Sequence, residues 1–189
     1  MRLSSDHLQA FGTIAAALAA LIALFVAWDQ GRVMRQEVRA SVWPALQVQG
    51  FVDTEGGGLE MGLNVENAGV GPALVERISV FQNNELVTDL DDLEARMQAD
   101  VDLSFETASG RIIAAGDSMQ PFSVRFEDPS QLMADGEEVT PRAAAAIITR
   151  AWRAEVCYCS SLGDCWVSDT TTNPPAAIDQ CDADPASNL

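Results

Sequence analysis

Lysine is absent from the 189 residues, and histidine occurs once, as His7. All 11 basic residues are therefore arginines, set against 28 acidic ones for a formal charge of −17. Binding to DNA or RNA depends on cations that neutralise phosphate, so this balance excludes a nucleic-acid partner. It also disfavours an anionic lipid face. The single histidine excludes more. A nucleophilic serine or cysteine needs a base beside it, and His7 lies ahead of a long apolar run, out of reach of everything that follows. Phosphate loops are missing too. "GVGPA" at residues 69–73 lacks the Lys-Ser/Thr of a P-loop and the third glycine of a dinucleotide fingerprint, and a strand pattern follows it where a helix is needed. Gly69 and Gly71 read as turn residues. The acidic clusters "DLDDLE" and "CDADP" lack the ligand-Gly-Glu order of an EF-hand loop. No catalytic, cofactor-binding or metal residue is assigned, no cofactor is expected, and the chain reads as non-enzymatic.

What is present begins with "FGTIAAALAALIALFVAW", 18 uncharged residues from Phe11 to Trp28. At 1.5 Å per residue the run reaches about 27 Å, near the thickness of a hydrocarbon core. A cleaved signal peptide is the alternative. The run is longer than an ordinary h-region, and a cut after Ala27 would leave bulky Phe25 at the −3 position, so a retained transmembrane helix is expected over residues 10–28. Ala15, Ala19, Ala23 and Ala27 recur at every fourth position, with Gly12, Ala16 and Ala20 in the adjacent row. Close backbone approach along small residues is how helices associate in lipid. These rows predict packing on another subunit's helix or on a second copy, although alanine enrichment also follows from a GC-rich genome.

Four cysteines lie in one C-terminal segment, spaced Cys-x-Cys-x5-Cys-x15-Cys at Cys157, Cys159, Cys165 and Cys181. Zinc sites draw on Cys-x2-4-Cys knuckles or histidines, and thioredoxin-like centres on Cys-x-x-Cys opening a helix; neither pattern is here. Buried reduced cysteines remain open as a reading. An even, clustered set is how a disulfide framework looks. "AEVCYCSSLGDCWVSD" reads as a hairpin turning at Ser161–Asp164, with Gly163 able to take positive φ. A five-residue loop sets Cys159 against Cys165 and leaves Cys157, on the same strand face, for Cys181; a loop one residue different would reverse the faces.

Orientation signals conflict. Arg32, Arg35 and Arg39 follow the apolar run and only Arg2 precedes it, which favours a cytoplasmic domain. Disulfides favour an oxidising compartment. We expect a bacterial inner-membrane protein with a periplasmic domain, the cytoplasmic side staying open.

Beyond the anchor, Met34, Val38 and Val42 keep helical spacing through a stalk (29–43) that Pro44 stops. The period then becomes two: "LQVQGFV", "LEMGLNVE", "ALVERISVF", "VDLSFET", "RIIA" and "QPFSVRFE" read as strands. "QNNE" reads as a turn. Thr88 is expected to cap a helix bearing Leu90, Leu93 and Met97, with Asp91 completing the box. Thr140 and Pro141 predict a second short helix. Trp43, Trp152 and Trp166 read as core or interfacial residues, and Trp28 as an interfacial anchor. The expected organisation is an N-terminal tail (1–9), transmembrane helix (10–28), stalk (29–43), β domain (44–169) and loop-like tail (170–189).

Two stretches carry a resemblance. "LNVENAGVGPALVERISVF" (63–81) looks like the N-x-G hairpin of bacterial immunoglobulin-like adhesion-type modules, and "IIAAGDSMQPFSVRF" (112–126) is similar to their later Gly-acid-Ser element. The whole plan resembles small uncharacterised bacterial single-pass membrane proteins with such a domain. The resemblance spans roughly residues 45–169. It implies a mainly β, immunoglobulin-like β-sandwich with one or two short inserted helices, used for binding or packing. The expected function is an accessory or scaffolding subunit of a membrane complex. The alternatives are a ligand- or cation-binding sensor module and a thiol redox or metal-binding protein.

Overall fold

The computed structural model describes residues 5–53, 59–97, 101–126, 151–171 and 174–181. The chain divides into two compact units, Met1–Ser41 and Val42–Leu189.

Among the described residues the first unit is a single helix, α1 (Ser5–Ser41), of 37 residues. Its alanines and leucines are strong helix formers, and a rise of 1.5 Å per residue makes it about 55 Å long. It runs without a break from the apolar run into the stalk. Arg39 in the last turn complements the helix dipole, and the Ser41 hydroxyl donates to the Val38 carbonyl. The helix ends at Ser41 because Trp43, ahead of Pro44, resists helical angles.

The second unit is mainly β, with two antiparallel sheets among the described residues. The strands are β1 (Leu46–Asp53), β2 (Leu59–Asn67), β3 (Ala73–Gln82), β4 (Glu85–Leu86), β5 (Val101–Phe105), β6 (Ile112–Ile113), β7 (Ser118–Phe126), β8 (Trp152–Cys159), β9 (Cys165–Asp169) and β10 (Ala176–Ile178). One sheet has the order β1-β2-β7-β5; the other has β10-β9-β8-β3-β4, with β6 also paired to β3. Alternation selects the inner faces. Leu46 and Val48 of β1, Leu63 and Val65 of β2, Val75, Ile78 and Val80 of β3, and Ala154, Val156 and Tyr158 of β8 join one buried cluster drawn from both sheets. In β3 the buried positions change phase between Val75 and Ile78. The pairing with β8 shifts between Val75 and Arg77, as a β-bulge requires. Asn83 and Asn84 take positive φ (51° and 69°) in the β3–β4 turn, as two-residue hairpin loops demand.

Two expectations are amended. The helix α2 (Leu90–Met97) is capped by Asp89 rather than Thr88: Asp89 Oδ1 accepts from the Asp92 amide at 2.8 Å, and Asp92 Oδ2 accepts from the Thr88 amide at 3.0 Å. Asp ranks above Thr at this position, and the return bond from Asp92 goes to the amide of Thr88, one residue ahead of the cap. The segment after residue 169 is not purely loop-like. Ala176–Ile178 adds an edge strand that pairs with Val167, Trp166 and Cys165. The helix expected from Thr140 lies outside the described residues.

Candidate functional site

The cysteine hairpin is built by β8 and β9. Ser160 closes its turn: its amide donates to Asp164 O at 2.8 Å, and its hydroxyl accepts from the amides of Leu162 and Asp164. Gly163 sits at φ +80°, a value that costs a side chain but not glycine. Across the hairpin Cys159 and Cys165 are register partners. They form a disulfide with Cα atoms 4.0 Å apart, and Cys157 is joined to Cys181 with Cα atoms 5.9 Å apart. Tyr158 and Trp166, also register partners, stack at 6.0 Å and contribute to the core. Because side chains alternate, the two disulfides occupy the opposite face of this sheet. The sulfurs of Cys159 and Cys181, from different bonds, are 3.9 Å apart. Those of Cys159, Cys165 and Cys181 lie within 4.8 Å of one another. With every sulfur in a disulfide, no thiolate is left to ligate a metal.

A second construction sits where the chain enters the β unit. Asn67, fully buried, uses all four side-chain hydrogen-bonding positions. Its Oδ1 accepts from the amides of Ala45 (3.2 Å) and Gly69 (3.0 Å); its Nδ2 donates to the carbonyls of Gly71 (2.8 Å) and Ile113 (3.0 Å). The amides of Val70 and Gly71 both donate to Trp43 O. This approach is close enough to require glycine. A Cβ on Gly71 would lie 2.1 Å from the Val42 carbonyl oxygen, and one on Gly69 would lie 2.4 Å from the Ala45 amide nitrogen. Nearby, the Tyr158 hydroxyl accepts from the Leu46 amide at 3.1 Å, and Ser168 Oγ donates to Leu46 O at 2.6 Å. Burial pushes the Tyr158 phenol above its ordinary value. Together these bonds tie β1 to the opposite sheet.

A cavity of about 250 Å³ lies among both sheets, lined chiefly by Val52, Met61, Phe122 and Val124 on one side and Val80 and Trp152 on the other. Arg153 also borders it, but its charge is committed: the guanidinium stands 4.5 Å over the Phe81 ring and pairs with Glu155 and Asp169. Such a lining suits a small apolar group. Elsewhere on the surface, the hydrogen bond from Arg125 holds the Glu60 carboxyl below the usual range, and Arg96 does the same for Asp92.

On α1, Gly12, Ala15, Ala16, Ala19, Ala20, Ala23 and Ala27 are all exposed, in two rows along the helix. Trp28 is exposed as well, while Trp152 and Trp166 pack against the core and Trp43 is 44% exposed. The helix is apolar enough to span a membrane or to be a signal sequence.

No protein-family model and no curated protein matches the chain. Sequence reasoning placed Asn67 in a turn motif without identifying it as a hub, and it did not find the Tyr158–Ser168–Leu46 tie or the cavity. An asparagine at the end of an alternating strand and the chain's single tyrosine were the available signals.

Proposed function

We propose that the protein is a non-enzymatic, single-pass accessory subunit of a larger bacterial inner-membrane complex, with α1 retained as its anchor and the β unit displayed in the periplasm. The observation that carries this reading is the exposure of α1 along its apolar run: Leu18 is 56% exposed, Ile22 66% and Phe25 73%. Apolar surface of this length is stable only when lipid or other helices cover it. The small-residue rows suit close approach to a partner helix or a second copy. The disulfides suit an oxidising compartment.

We read the β unit as an immunoglobulin-like sandwich. In support, β1-β2-β7-β5 follows the A-B-E-D order of immunoglobulin constant domains, and β9-β8-β3 follows their G-F-C order, β4 adding an edge strand. The chain departs from that pattern in its covalent links, which staple the β8–β9 hairpin and the C-terminal segment rather than bridging the sheets.

Replacing Ala16, Ala19, Ala20 and Ala23 by leucine tests the helix-docking part. The expected result is membrane insertion as before, with loss of the larger assembly on native electrophoresis of detergent extracts. An unchanged assembly would refute it.

The cavity favours a second reading, a membrane-anchored module that senses a small apolar ligand. Native mass spectrometry of the purified chain would then show a bound small molecule that disappears when Met61→Trp fills the space; an empty protein counts against this reading. The thiol redox or metal-binding alternative predicts stoichiometric zinc or iron in the purified protein, which metal analysis reads directly.

A further inference from the structure

We propose that the two disulfides form one exchange unit, in which opening either bond moves the surviving one to Cys159–Cys181. The inference goes beyond the accessory-subunit reading and rests on sulfur positions alone. Cys159 and Cys181 belong to different disulfides, yet their sulfurs are 3.9 Å apart, in van der Waals contact. Disulfides exchange by attack of a thiolate on a neighbouring disulfide sulfur, and here the two sulfurs are already in contact, so that rotation of the freed cysteine side chain into line with the bond it attacks completes the approach.

Consider a thiol reductant acting first at Cys157–Cys181, whose Cys181 is the most accessible of the four cysteines. Two external thiols become one external disulfide, leaving Cys157 and Cys181 as thiols. The Cys181 thiolate then attacks Cys159; the Cys159–Cys165 bond breaks, Cys159–Cys181 forms, and Cys165 leaves as thiolate. Opening Cys159–Cys165 first gives the same end. The Cys159 thiolate attacks Cys181, Cys157–Cys181 breaks, and Cys157 leaves. Both routes give a protein with one disulfide, Cys159–Cys181, and two thiols, Cys157 and Cys165. The exchange step is redox-neutral, with one S–S bond broken and one made. Its consequence is mechanical: loss of either disulfide leaves the segment carrying β10 and Cys181 covalently held to β8, while the clasp at Cys165 opens.

The test uses the full-length wild-type chain in detergent. Partial reduction with a phosphine at about pH 3, where thiolates are absent, yields single-disulfide species that cannot exchange. The sample is then brought to about pH 8, alkylated, and mapped by peptide mass spectrometry. Native single-disulfide species are expected at the acidic pH, with a Cys159–Cys181 peptide appearing on the shift and blocked thiols at Cys157 and Cys165. Persistence of only the native pairings would overturn the proposal. So would Cys157–Cys159 or Cys157–Cys165 links in equal amount, which indicate scrambling of an unfolded chain. A Cys157→Ser chain gives a second reading: its free thiol is expected at Cys165, with Cys159–Cys181 as the disulfide, and a thiol confined to Cys181 refutes the exchange.

Discussion

Asn67 shows how much one side chain determines when every polar position is matched. Its Nδ2 faces two carbonyls, those of Gly71 and Ile113, and its Oδ1 faces two amides. Asn67→Asp keeps the shape and replaces the two donors with an acceptor aimed at carbonyl oxygens. Two hydrogen bonds are lost and two buried acceptors are left opposed, which is expected to destabilise the β unit by about 3 kcal/mol; chemical denaturation followed by tryptophan fluorescence measures it. Tyr158 gives a sharper handle, because it is the only tyrosine in a chain without lysine and with all four cysteines joined. No other side chain titrates near pH 10. Burial raises the folded-state value of this phenol, so the folded state holds the proton more tightly than the unfolded state. The stabilisation is therefore complete below the unfolded value of about 10 and declines as pH rises through the folded value. Wild type is expected to lose stability progressively above about pH 10. Tyr158→Phe should be about 1 kcal/mol less stable at neutral pH, because the Leu46 amide loses its partner, but should show no such alkaline decline. A decline that persists in Tyr158→Phe would place its origin elsewhere.

Elements differ in how far their own residues specify them. Removing Cys157 and Cys181 together opens a loop of 24-residue separation, whereas removing Cys159 and Cys165 opens one of 6. On loop-closure entropy the longer link stabilises by about 3.5 kcal/mol and the shorter by about 2.3. The Cys157/Cys181 double serine variant should therefore melt at the lower temperature of the two, and the reverse order would show that strain or residual structure governs instead. The β8–β9 hairpin was legible because Gly163 and the five residues between Cys159 and Cys165 fix its turn and facing pairs. β1, β2 and β7 were legible from Leu46/Val48, Leu63/Val65 and Phe122/Val124/Phe126, whose alternation is a local property. β10 was not legible: Ala176-Ala177-Ile178 has no periodicity, and its strand conformation comes from pairing with β9, a tertiary effect that propensity does not contain. The same holds for the site. Asn67 reads locally as a turn residue, but its partners at Ala45 and Ile113 lie 22 and 46 residues away. Only folding brings them together. The cap of α2 was misplaced by one residue because Thr88 and Asp89 are both competent caps and short-range pattern does not separate them.

For the whole molecule, the compartment that the β unit faces follows from weighing two of its own signals against each other. Arg32, Arg35 and Arg39 at the C-terminal part of α1 favour a cytoplasmic position, yet Asp29 and Glu37 share that stretch and the excess over Arg2 is only a few charges. The disulfides involve every cysteine in the chain, and cytosolic glutathione and thioredoxin keep such bonds reduced. A bias of a few arginines changes insertion statistics, whereas two disulfides in one small domain require an oxidant. The cysteine evidence therefore weighs more, and a periplasmic domain on a retained α1 is the expected arrangement. Alkylation of protein taken directly from cells, unfolded with and without reductant and read by intact mass, tests both parts at once. The expected outcome is no alkylation without reductant, four adducts with it, and a mass that includes residues 1–28. A mass beginning after Ala27 would make α1 a signal sequence and remove the anchor. Four adducts without reductant would place the domain in the cytoplasm, where the four sulfurs around β8 would be thiols beside one another and metal binding at Cys159, Cys165 and Cys181 would become the reading to pursue.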